Sequence, residues 1–363
     1  MLKRIITGTG LVLAGMVVGA WGHASWVANA SDAPPAPHLP AAEPEADPPA
    51  AEAPVPGTPD PVNFTYRYLD PLDPAMAATA ERVREEDLLR RLPEVKWLDG
   101  LLLLPAPITY VATACGKPDA YYLPGKREVV LCYEMLHALY AQGEDLAATG
   151  GSALDLPDIP ADQLAQRYVW ANVRFVVAHE TGHALIDLLD LPVTGRQEDA
   201  VDQFATALMQ RIGGEDESPR EVAQNLRMAS HSFLADAGTD VTMQAYADTH
   251  SLGLQRYFNL QCLLYGSDPE RFADMVERGD LPETRAKTCP TEARRANDAW
   301  VRLLAPHLAP AYKMSVDEAE AWLRDRERSR GEAGVPVVVA PTPEPAGAEP
   351  ARAIKPTTPA QPL

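Results

Sequence analysis

VRFVVAHETGHALIDLL, residues 173–189, is the stretch from which the rest of the chain is read. Its apolar residues recur three and four apart, which predicts a helix. His179 and His183 stand four residues apart, so they project from one face, one turn from each other. Their ring nitrogens can then converge on a single Zn²⁺. Glu180, beside the first histidine, can reach a metal-activated water without being a ligand and is the expected general base. Two half-buried core histidines are the plainer alternative. That reading must also explain a glutamate buried between them, which is costly unless it is paired.

A catalytic zinc needs a third protein ligand and one open position for water. The metzincin pattern would require a glycine at position 186 and a histidine at 189; Ile186 and Leu189 exclude it. Leu191-Pro192 ends the motif helix, Gly195 helps reverse the chain, and GRQEDAVD (195–202) opens a second helix that runs back antiparallel. Glu198 and Asp202 are four apart and share a face, while Asp199 turns about 100° away. Glu198 is the favoured third ligand, with Asp202 accepting a hydrogen bond from a zinc-bound histidine and fixing its tautomer. Asp199 or Asp202 as the ligand is the alternative. An acidic first helical turn is also favoured by the helix dipole alone.

Working outward, residues 84–92 carry a short amphipathic pattern. LLLLPAPITYVATA (101–114) is strand-like, with Pro105 and Pro107 restricting it to an edge or breaking it. Tyr121–Leu123 and Val129–Leu131, around Pro124-Gly125, read as two strands and a turn. From Tyr133 onward the pattern is helical, with candidates at 133–142, 162–190, 197–212, 218–235, 252–265, 268–277 and 290–304. Asp162, Ser218 and Asp268 sit where N-caps belong. A small N-terminal β region followed by a mainly helical body is an α+β pattern. His137, His231 and His307 lack metal-site spacing and read as core or surface residues.

The ends differ in character. Residues 1–30 have a basic start at Lys3 and Arg4, an apolar run, and Ala28-Asn29-Ala30, the grammar of a signal peptide. An uncleaved anchor is the alternative, and it would be the chain's one membrane contact. Residues 31–62 and 329–363 are rich in Pro, Ala and acidic residues and read as a linker and a tail, leaving 63–328 as one domain. The chain is expected to be exported, periplasmic or extracellular. In an oxidising compartment its four cysteines favour disulfides. Pairing Cys115 with Cys132 and Cys262 with Cys289 closes the two shortest loops, free buried thiols being the alternative. With 32 Lys+Arg against 51 Asp+Glu, the net charge of −19 argues against nucleic acid and against docking on anionic lipid by charge alone.

An HExxH helix followed by a Glu-xxx-Asp helix resembles the gluzincin metallopeptidases. The chain more closely resembles a bacterial family of exported metallopeptidases without assigned substrates, through CGKPDAYYLPGKREVVLCYEM, HETGHALIDLLDLPVTGRQEDAVDQFA and DTHSLGLQRYFNLQCLLYGSDP. The likeness runs from about Cys115 to Pro269, continues to about His307, and covers neither tail. It implies one zinc per chain held by His179, His183 and Glu198, with Glu180 activating water to hydrolyse a peptide or protein substrate. The His183-to-Glu198 gap is shorter than in many gluzincins. The resemblance also implies an edge strand that pairs with an extended substrate, for which Glu128–Leu131 is the candidate, an ordinary hairpin arm being the alternative. A second donor for the oxyanion is expected. His250, oriented by Asp248, is one candidate. Tyr257 is another, two turns on and on the same face if one helix reaches both. Arg256 is better suited to pairing with an acidic cluster. A catalytically silent zinc-binding scaffold and a zinc amidase acting on cell-wall peptides are the rival readings.

Overall fold

Five residues, FTYRY, form the first strand, β1 (Phe64–Tyr68), of a computed structural model that describes residues 63–148, 160–212, 217–235 and 242–333. The expected leader and linker, 1–62, and the tail beyond 333 lie outside the described residues. After β1 come α1 (Ala77–Glu85) and α2 (Pro93–Leu98), then β2 (Ile108–Thr113), β3 (Ala120–Leu123) and β4 (Glu128–Cys132). The helical body follows: α3 (Tyr133–Ala148), α4 (Ala161–Leu188), α5 (Gln197–Ile212), α6 (Pro219–Ala235), α7 (Met243–Ala247) and α8 (Gly253–Ser267). It ends with α9 (Asp274–Glu277), α10 (Glu283–Ala286), α11 (Cys289–Leu304) and α12 (Val316–Ala333). This is an α+β fold with a mainly helical body, as the sequence predicts.

The sheet has the order β1-β2-β4-β3; β1, β2 and β4 are parallel and β3 is antiparallel to β4. The strand-like stretch 101–114 narrows to β2, which starts one residue after Pro107, so both prolines stay outside the ladder they would interrupt. Glu128–Leu131 is corrected as the edge strand: β4 is hydrogen-bonded on both sides, and β3 takes the edge. The amphipathic pattern at 84–92 is not one helix. The chain leaves α1 at Glu85, Asp87 takes a left-handed φ of 46°, and α2 begins only at Pro93. The expected helix 268–277 is a turn followed by the short α9, with the Asp268 carboxylate accepting from the Arg271 N–H. Ser218 does cap α6, in a reciprocal pair with Glu221. α12 runs five residues past the expected domain end at 328.

From Ala171 to Leu185 α4 is buried on nearly all sides, polar residues included, between the sheet and the other helices. Tyr110 of β2 meets Thr181 Oγ1 at 3.0 Å, and the Tyr122 hydroxyl of β3 donates to Asp187 Oδ2 at 2.8 Å. The sheet is therefore fastened along the HExxH turn. On the opposite flank Gly182 lets α5 come close: a β-carbon there would lie 2.9 Å from Val201 Cγ1 and 3.0 Å from Phe204 Cδ1. Five residues before His179, the Arg174 guanidinium is fully buried; it donates to Glu94 of α2 (Nη2–Oε1 2.6 Å) and to Glu217. Two disulfides complete the frame. Cys115–Cys132 ties the end of β2 to β4, and Cys262–Cys289 ties α8 to α11.

Candidate metal centre

His179 and His183 occupy successive turns of α4, and the reversal at 189–196 brings the first turn of α5 back beside them. Glu198 Oε2 lies 3.1 Å from His179 Nε2 and 3.2 Å from His183 Nε2. One ligand atom from each of these three residues lies within 4.8 Å of the other two. The edge of a tetrahedron with bonds of about 2.0–2.1 Å is about 3.3 Å, so two imidazole nitrogens and one carboxylate oxygen at this spacing fit a small divalent ion. Glu180 is buried beside them, Oε1 3.9 Å from His179 Nε2.

The other acidic candidates are engaged elsewhere. Asp199 accepts from the Ser251 hydroxyl at 2.7 Å. Asp202 accepts from His179 Nδ1 at 2.8 Å and from Arg256, which leaves His179 Nε2 directed at Glu198. Of the three acids, Glu198 is the one whose carboxylate meets both ring nitrogens.

The loop before α8 brings His250 to the same place, its Nε2 3.1 Å from Glu198 Oε2. Asp248 Oδ1 accepts from the His250 backbone N–H at 2.9 Å and lies 3.2 Å from its Nδ1. Arg196, which the sequence reading passed over, holds this loop: its Nη1 lies 3.0–3.4 Å from the carbonyl oxygens of 248, 249 and 250. Its one sequence signal was a cation placed in the reversing loop.

The face expected to carry both His250 and Tyr257 is corrected. α8 begins at Gly253, so no helix carries both His250 and Tyr257, and the shared face does not exist. The Tyr257 hydroxyl accepts from Gln261 at 3.0 Å, and the charges acting on it are Asp280, Arg227 and Arg278. Arg256, one residue earlier, is the α8 side chain that faces the site, paired with Asp202.

The electrostatics follow from this crowding. Burial pushes the Glu180 carboxyl above the usual carboxylate range, against the pull of His179 and His183. Burial also opposes charge on Glu198, but hydrogen bonds from His179, His183 and His250 outweigh it and hold its carboxyl well below the usual range. Burial would lower His179, yet Asp202 and Glu198 raise it to about 9. His179, His183 and Glu198 can bind a cation only after the imidazoles give up those protons, so metal and protons compete for the site.

Residues 68–304 match the model of the family DUF4344, described as "Putative metallopeptidase". The match spans more than half of the chain, and the chain belongs to that family. Its description implies a metal ion and a peptide or protein substrate. Comparison with curated proteins finds no match, and neither does comparison with solved structures.

Proposed function

We propose that the chain is a zinc-dependent, gluzincin-like peptidase of the cell envelope, with one zinc held by His179, His183 and Glu198. The observation that carries this reading is the convergence of two imidazole Nε2 atoms on Glu198 Oε2 beside the buried Glu180. When bound there, zinc would supply Lewis acidity toward the scissile carbonyl and bring the pKa of water near 7. Glu180 accepts the proton from water and passes it to the leaving amine; a carboxylate pushed upward by burial is the better acceptor. His250, about half exposed and oriented by Asp248, donates to the carbonyl oxygen as negative charge develops. Among the described residues β3 is paired on one side, to β4, and its Tyr122 is fastened to α4 one turn past His183, so an extended substrate can add to its other edge. Export is supported by the N-terminal sequence and by the two disulfides.

The test is metal content and peptide hydrolysis on purified protein. We expect one zinc per chain and hydrolysis abolished by a chelator. Glu180→Gln should keep the zinc and lose about 10²-fold or more in rate. An active Glu180→Gln protein would end the mechanism, and a zinc-loaded wild type without hydrolysis would favour the scaffold reading.

A further inference from the structure

Asp202 is buried on α5, and both of its oxygens are engaged. Oδ1 accepts from His179 Nδ1 at 2.8 Å and from Arg256 Nη2 at 2.7 Å, while Oδ2 accepts from Arg256 Nε at 2.8 Å. The guanidinium thus grips the carboxylate through two parallel bonds, which fix the carboxylate plane and with it the direction in which Oδ1 faces the imidazole. The flat face of Arg256 lies over Phe233 of α6, its Cζ 3.9 Å from the ring centroid. Phe233 meets Phe175 edge-on at 5.7 Å, and Phe175 lies 6.4 Å from the His179 ring, one turn away on α4. The contacts close a circuit from His179 through Asp202, Arg256, Phe233 and Phe175 back to His179, drawing on four helices. A carboxylate this deep is costly without a counter-charge. Arg256 supplies that charge from 54 residues down the chain.

We propose that Arg256 is a positioning residue for the metal centre: through Asp202 it sets the orientation of the His179 ring and so the strength with which His179 binds metal. The inference rests on the zinc reading of His179, His183 and Glu198. Lysine does not replace arginine here, because an ammonium offers neither the two-pronged grip nor a flat face for Phe233.

The experiment measures zinc affinity by competition with a chromophoric chelator, and the visible spectrum of the cobalt-substituted protein, on variants shown to be folded by near-ultraviolet circular dichroism. Asp202→Asn should weaken zinc binding by about 10- to 100-fold, the usual effect of losing a group that supports a metal-bound histidine. Arg256→Met, acting one step further out, should weaken it by about tenfold, with Arg256→Lys in between, and both should alter the cobalt spectrum. Adding Arg256→Lys or Arg256→Met to Asp202→Asn should cost nothing more, because Arg256 acts through that carboxylate. Should Arg256→Met fail to fold, Arg256→Lys, which keeps the charge, decides the matter. Wild-type affinity and spectrum in the folded Arg256 variants would overturn the proposal. So would losses that add in full to that of Asp202→Asn. A wild-type chain that takes up no zinc would instead fail the metal reading, and the inference with it.

Discussion

Replacing Arg174 with methionine tests how the helix of the metal site is anchored. The Arg174 guanidinium is 0% exposed, and its partner Glu94 is 1% exposed, with Nε contacting both carboxylate oxygens at 3.1 Å and Nη2 contacting one at 2.6 Å. Glu217, the other partner, is 18% exposed and can rehydrate. Methionine keeps the bulk and the apolar stem but leaves Glu94 as a buried carboxylate without its cation, a loss of about 3–5 kcal/mol. A domain of this size loses about 2–4 °C of Tm per kcal/mol, so Tm should fall by about 6–20 °C. Thermal unfolding followed by circular dichroism at fixed scan rate reads the change. Arg174→Met combined with Glu94→Leu removes both charges and should recover most of the loss, since a well-packed apolar pair often matches a buried ion pair. A Tm within about 2 °C of wild type in the single variant would refute the reasoning, as would a double variant no more stable than the single.

Gly182→Ala should gain up to about 1 kcal/mol from helix propensity alone. The contacts at 2.9–3.0 Å predict instead a loss of about 1–3 kcal/mol and weaker zinc binding, because α5 carries Glu198 and must move; a gain in both quantities would show that α5 yields freely. Alkylation of the native protein should label no cysteine, and reduction should cost about 2–4 kcal/mol for each disulfide in urea unfolding; labelled native thiols would contradict the pairing. Burial lowers the His231 pKa, so the folded chain binds fewer protons there than the unfolded chain once pH drops below about 6.5. The stability present above that pH should therefore be lost as pH falls through 6.5 toward the lowered value. In chelator-containing buffer, urea unfolding of His231→Gln should fall less steeply with pH than wild type, and parallel curves would exclude His231 as a source.

What the sequence disclosed was chiefly local. The i, i+4 spacing of His179 and His183 and the early reversal at Leu191-Pro192 suffice to place Glu198 opposite them, because a short hairpin of two helices leaves little freedom. Chemistry alone makes His250 a candidate for the site, and the structure brings it to Glu198. The shared face of His250 and Tyr257 fails at a boundary: Ser251 and Leu252 separate His250 from the start of α8. Which strand lies at the edge is not legible, because strand patterns do not tell which neighbours a strand acquires, and β4 acquires two. β1 is five residues beside a Pro-rich stretch, and α12, VDEAEAWLRDRERSRGEA, has too few apolar residues to show a periodic stripe. The Arg174–Glu94 pair spans 80 residues and belongs to no pattern along the chain.

The three converging donors fall within twenty residues of chain, from His179 to Glu198, and this has a kinetic consequence. Closing so short a loop costs little entropy, so the α4–α5 hairpin can gather them early in folding. Arg256 arrives from much further along and docks only once α8 has packed. On the proposal that Arg256 tightens the metal site, capture and tightening would be separate events in time: a nascent hairpin would admit an ion, and the later closure of α8 would slow its escape. Refolding in the presence of a zinc-sensitive dye should show uptake ahead of the final fluorescence change of the tryptophans, followed by a drop in the rate of zinc release.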